Sequence, residues 1–152
     1  MSAGAFTPAA RAAIYQAGDG RCAGCLTVSP LTAQHRRARG MGGTTRAAAG
    51  HPANGVPLCG SGTTGCHGWT EHNPATATLL GWRLEAGQDP LVAPWWAQTY
   101  GWRRWTLDQL TVYVDRDDLD QAEARAGAVR AYLEHLDTLE RPVPVWPIKP
   151  HR

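Results

Sequence analysis

The usual core-forming side chains are scarce in this chain. Its 152 residues hold one phenylalanine, Phe6, and two isoleucines, Ile14 and Ile148. Lysine is almost missing as well; Lys149 stands alone, so arginine carries the basic charge. No apolar run reaches the roughly 18 residues that read as a membrane-spanning helix. The start of the chain has no basic segment followed by a continuous apolar stretch, so no secretory leader is expected and a cytoplasmic location is. What is plentiful is unusual: 17 glycines, 11 prolines and 7 tryptophans. A small chain of this make-up is expected to need a staple beyond its core.

Charge is unevenly spread. Residues 1–83 carry seven arginines against Asp19 and Glu71, whereas residues 84–152 carry eight basic against eleven acidic side chains. The formal net charge is only +2, but the first half favours a polyanion.

Local signals predict the elements. Thr7 is a good helix cap and Pro8 suits a first helical turn, so a helix is expected over Ala9–Ala17. It stops at Gly18-Asp19-Gly20. Leu26–His35 reads as a hairpin arm, residues 36–55 as a glycine-rich loop and Val56–Cys59 as a strand. Cys66–His72 can make about two helical turns. Asn73-Pro74 then starts a further helix that ends at Gly81. Trp95, Trp96, Trp102 and Trp105 around Gly101 predict an antiparallel hairpin. Leu119, Ala122, Ala126, Val129, Leu133 and Leu136 recur at spacings of three and four, which predicts a final helix capped by Asp117 or Asp118. The tail beyond Pro142 is proline-rich and reads as extended.

Four cysteines, Cys22, Cys25, Cys59 and Cys66, form two pairs separated by a long insertion. A disulfide framework is one reading, but it fits poorly with a reducing compartment. Tetrahedral zinc fits better, because each pair supplies two thiolates from one turn. Gly60, Gly62 and Gly65 would let the longer second turn fold back.

Between and after the pairs lie Gln34-His35-Arg36-Arg37, Arg39-Gly-Met-Gly-Gly, Asn54, and Cys66-His67-Gly-Trp69 with Glu71 and His72. This pattern over residues 19–84 resembles the HNH endonucleases, and most of all HNH proteins of bacteriophages that infect actinobacteria. The resemblance implies an α+β fold with a ββα-metal core on a four-cysteine zinc site. It implies His35 as the general base, Asn54 as the residue that orients the histidine strand, and His67 as a catalytic-metal residue. Neutral imidazole suits a base at pH 7. Taken alone, His35 reads as a satisfied histidine and Asn54 as a turn residue before glycine; the motif favours the family roles. Glu71 lies four residues after His67, on one helical face, while His72 is about 100° round. Either is a candidate second ligand for Mg²⁺, Mn²⁺, Ni²⁺ or Zn²⁺. One departure stands out: the family usually has Asp or His before the base, and here it is Gln34. Three readings stand. Gln34 ligates through Oε1, it holds a water on the metal, or the site is degenerate.

Arg36, Arg37, Arg39 and Arg46 crowd the loop after the base and suggest phosphate contacts, against the plainer reading of a solvated loop. His51 reads as a loop histidine, and most tryptophans as core rather than base-stacking groups. The division expected is a nuclease domain over 1–84 and a β/helical extension with its tail over 85–152. The expected activity is metal-dependent hydrolysis of DNA, with phage terminase or other packaging proteins as implied partners. The alternative is a non-catalytic, zinc-stapled DNA-binding or packaging module. A dimer through the last helix is a third, weaker option.

Overall fold

A computed structural model describes residues 4–37 and 49–139. Helix α1 spans Pro8–Ala17; the Thr7 hydroxyl accepts from the Ala10 N–H at 3.1 Å, and Ala10 and Ile14 turn inward. Strand β1 (Leu31–His35) pairs antiparallel with β2 (Gly55–Cys59), so that Leu31 faces Cys59 and His35 faces Gly55. Helices α2 (Gly65–His72) and α3 (Pro74–Leu79) follow. A second sheet joins β3 (Trp95–Ala97), β4 (Gly101–Trp105) and β5 (Thr111–Tyr113) in sequence order. Helix α4 (Ala122–Thr138) closes the described chain. The fold is therefore mixed α+β with two small sheets. No helix among the described residues is long and apolar enough to cross a membrane.

The core compensates for its missing phenylalanines with tryptophan. Trp82, Trp95, Trp105 and Tyr132 are fully buried beside Ile14, Leu26, Val56, Leu58 and Leu80. Trp82 donates its indole N–H to the Trp96 carbonyl at 2.7 Å, so the polar edge of the ring is satisfied inside the core. One apolar cluster contains both Leu58 and Trp105.

Three local expectations need correction. The hairpin arm begins only at Leu31; Leu26 adopts a left-handed φ of 67°, which an extended strand does not contain. The last helix is capped by neither Asp117 nor Asp118; these lie in a short 3₁₀ turn (Arg116–Asp118) capped by Asp115, and Gln121 precedes α4. Its buried stripe is Arg125, Ala128, Tyr132 and Leu136, while Val129 and Leu133 only flank the core. The stripe is rotated because Tyr132 reaches between Trp69, Trp82 and Trp96. Gly24 makes room for it, since a Cβ there would overlap the Tyr132 hydroxyl.

Arg36 is the largest correction. The side chain is fully buried rather than offered to DNA. Its guanidinium donates to the carbonyls of Gly81 at 2.7 Å, Ala53 and Ala93 at 2.9 Å, Pro90 at 3.1 Å and Pro94 at 3.3 Å. Burial pulls its pKa down to about 9, helped by the nearby Arg125 charge. It thus remains a cation at neutral pH and ties the end of β1 to the turn before β2, to the end of the α3 segment and to the segment that leads into β3. Each buried acceptor left without a donor costs about 1–3 kcal/mol. Arg36→Gln is therefore expected to lower stability by about 3 kcal/mol or more, read from the urea midpoint. A shift of under about 0.5 kcal/mol, the size of an ordinary surface change, would show that these bonds contribute nothing net.

Candidate metal cluster and cleft

The first site is the thiol cluster. Cys22 and Cys25 lie on the turn after α1, Cys59 ends β2, and Cys66 opens α2. All four are buried, and their sulfurs lie within 4.8 Å of one another. A tetrahedral ion with sulfur ligands at about 2.3 Å sets sulfurs roughly 3.8 Å apart, so the cluster has the size for a metal such as zinc. The cysteines are free thiols, and the Cys25 and Cys59 sulfurs stand 3.5 Å apart. Backbone N–H groups point at the sulfurs: Cys25 and Cys59 donate to Cys22 Sγ at 3.5 and 3.3 Å, and Cys66 donates to Cys59 Sγ at 3.4 Å. Gly60 and Gly65 adopt φ of +85° and +62°, which lets the chain fold back between Cys59 and Cys66.

The four thiols differ in how readily they ionise. Burial pushes Cys22 well up, and its hydrogen bond to Cys25 pulls that thiol down to about 7. The same neighbour lowers Cys59 further and raises Cys66. A bound cation would even out this difference, since coordination deprotonates thiols outright.

The second site is a cleft of about 360 Å³ beside the first. Strand β1 supplies Gln34 and His35 and α2 supplies His67 and Glu71, so four residues singled out in the sequence line one space. Because α2 carries both Cys66 and His67, the thiol cluster anchors the helix that walls the cleft.

His35 is held from a segment that sequence reasoning missed. Its ring stacks on Phe6 with centroids 4.0 Å apart and planes 14° apart. Nε2 lies 2.7 Å from the Gly4 carbonyl oxygen. A carbonyl only accepts, so Nε2 carries the proton, and the neutral ring keeps its lone pair on Nδ1. His67 is fixed in the opposite sense. The Thr32 hydroxyl donates to the Leu58 carbonyl at 3.0 Å, so at 3.0 Å from His67 Nδ1 it can only accept. Nδ1 of His67 therefore carries the proton and Nε2 the lone pair. Burial lowers the His67 pKa, with Glu71 opposing, which favours the neutral ligand form.

Gln34 is only 5 % exposed, and among the described residues its Oε1 has no hydrogen-bond partner. An orphaned buried acceptor is costly unless something else satisfies it. Asn54 is buried and acts on the chain after His35. Its Oδ1 accepts from the Arg37 N–H at 2.8 Å, its Nδ2 donates to the Ala49 carbonyl at 3.1 Å, and its own carbonyl accepts from the Arg36 N–H at 2.8 Å. It thus clamps together the two chain segments that flank residues 38–48.

Other candidates fall elsewhere. His72 is exposed, does not line the cleft, and turns Nδ1 onto the Gly68 carbonyl at 2.7 Å; Glu71 takes the place beside His67. His51 caps a 3₁₀ turn, its Nδ1 accepting from the Ala53 N–H at 3.1 Å. Arg37 is half-buried and does not line the cleft, and Arg39 and Arg46 lie outside the described residues. Trp82 is core, and Trp69 packs edge-on against it and against Tyr132. Two arginines that the sequence did not single out, Arg11 and Arg83, do line the cleft. Comparison with family models, with curated proteins and with solved structures returns no match to this chain.

Proposed function

We propose that this protein is a metal-dependent endonuclease of HNH type that hydrolyses DNA phosphodiester bonds. The observation that carries the reading is the single cleft in which His35 meets Gln34, His67 and Glu71, with the Gln34 oxygen buried and, among the described residues, unpartnered. The order β1–β2–α2 is the one a ββα-metal core requires. Zinc is the ion that suits four thiolates in a closed, buried site.

His35 takes a proton from the attacking water at Nδ1, while the Gly4 carbonyl holds Nε2–H and stabilises the imidazolium that forms. Phe6 keeps the ring in that plane. Gln34 Oε1, the Glu71 carboxylate and His67 Nε2 are the donors that would hold a divalent cation, which when bound offsets the charge on the phosphate and the leaving oxygen. Asn54 keeps the end of β1 in register. By the resemblance, cleavage leaves 5′-phosphate and 3′-hydroxyl ends and serves phage DNA processing or packaging.

The neutral amide of Gln34 favours one other reading, a zinc-stapled DNA-binding or packaging module without catalysis. A supercoiled-plasmid assay on zinc-loaded protein with Mg²⁺, Mn²⁺, Ni²⁺ or added Zn²⁺ separates the two. Metal-dependent nicking is expected, and DNA binding without cleavage under all four metals would favour the module.

The zinc reading makes a further prediction. The buried Tyr132 hydroxyl lies 2.7 Å from Cys66 Sγ, so it donates to that sulfur once the thiolate is bound. Tyr132→Phe keeps the ring and removes the donor. Loss of a partner that supports a metal ligand weakens affinity by about 10–100-fold. Competition with a chromophoric chelator is expected to show that loss; unchanged affinity would leave the hydroxyl a packing group only.

A further inference from the structure

Most described guanidinium groups with a clear task serve the fold. Arg36 and Arg125 are buried on carbonyls, and Arg103 binds Thr111. Arg11 and Arg83 differ. Both are exposed, both line the cleft, and among the described residues neither forms an ion pair. Their backbones are nonetheless fixed. The Arg11 N–H makes the first bond of α1, to the Thr7 carbonyl at 2.9 Å. The Arg83 N–H reaches the Ala77 carbonyl at 3.3 Å, and the next N–H, of buried Leu84, reaches the Arg36 carbonyl at 2.7 Å. Two free cationic forks thus rise from anchored backbone at a cleft where Glu71 is the single acidic lining residue among those described.

We propose that Arg11 and Arg83 are a phosphate-binding pair that seats the nucleic-acid backbone over His35. Guanidinium forks match phosphate oxygens in pairs, and exposed forks bind without first breaking internal bonds. The pair draws on two distant parts of the chain and replaces Arg36 as the cationic wall. It rests on the nuclease reading only for DNA as the polyanion.

The test is fluorescence anisotropy of a 12-base-pair duplex of arbitrary sequence, with the full zinc-loaded chain and no added divalent metal, across a salt series. Arg11→Gln and Arg83→Gln are each expected to weaken binding about 3–10-fold and to flatten the slope of log K against log salt by about one, the double variant by about two. Arg130→Gln, an exposed arginine on α4 away from the cleft, is expected to change neither. Equal thermal midpoints for all variants confirm that folding is intact. An unchanged slope in the double variant, an equal loss in Arg130→Gln, or no binding by the wild type would each overturn the pair. The nuclease reading fails separately: a double variant that loses binding in a chain that never cleaves supports the pair alone. A double variant that binds and cleaves like wild type supports the nuclease alone.

Discussion

His35→Ala is expected to abolish metal-dependent plasmid nicking while leaving the fold and DNA affinity in place. A positioned general base contributes about 10²–10⁴-fold to a rate, and no other histidine in the cleft substitutes for it. His67 has its lone pair on the opposite nitrogen, since Thr32 fixes its proton on Nδ1. His35 is only half-buried, and its bond to Gly4 ends on a carbonyl close to the start of the chain. Its removal therefore leaves the interior bonds of Arg36 and Asn54 untouched. Zinc content and the thermal midpoint are measured on the same preparation, so that a loss of cleavage is not a loss of folded protein. Retention of cleavage within about threefold of wild type would remove His35 from the chemistry, because that ratio is under 1 kcal/mol of barrier.

Cys22→Ser is expected to do more damage to the molecule than any other single change. The Cys22 sulfur is fully buried and accepts two backbone N–H bonds, from Cys25 and from Cys59, so it joins the turn after α1 to the end of β2. Structural zinc binding supplies roughly 10–16 kcal/mol of apparent free energy at neutral pH. That equals or exceeds the total stability of about 5–15 kcal/mol typical of a domain. Loss of one ligand should therefore drop the zinc content from about one per chain towards zero and remove the cooperative thermal transition. Chelation of the wild type should give the same result, and added zinc should reverse it. The outcome that would sink the structural-zinc reading is a folded, zinc-free Cys22→Ser protein of undiminished stability.

These two expectations rest on residues that were readable in very different degrees. The cysteines announced themselves through spacing, since a Cys-x₂-Cys turn places two thiols on one side by its own geometry. The Thr7-Pro8 cap, the strand from Val56 and the Gly101 hairpin were readable for the same reason: each is set by a few neighbouring residues. His35, Gln34 and His67 were legible as a group through the resemblance, and Glu71 through its spacing of four from His67 on one helical face. The grip on His35 was not, because Gly4 and Phe6 lie some thirty residues before it and no local rule brings them there.

Arg36 and the last helix show the other half of the matter. A run of arginines beside glycines reads as a solvated, phosphate-seeking loop, yet the acceptors of Arg36 extend to Pro94, fifty-eight residues on. In α4 two neighbouring stripes satisfy a spacing of three and four. The one that faces inward was chosen by the space among Trp69, Trp82 and Trp96, which only Tyr132 fills. The sequence by itself determined the Thr7 cap, the strand from Val56, the Gly101 hairpin and the pairing of the thiols, because those depend on contacts a few residues long. The tertiary structure alone decided that Arg36 is buried while Arg11 and Arg83 stay exposed, and which nitrogen of His35 and of His67 holds the proton. Burial and hydrogen-bond partnership belong to the packing of distant segments, and no short stretch of chain contains them.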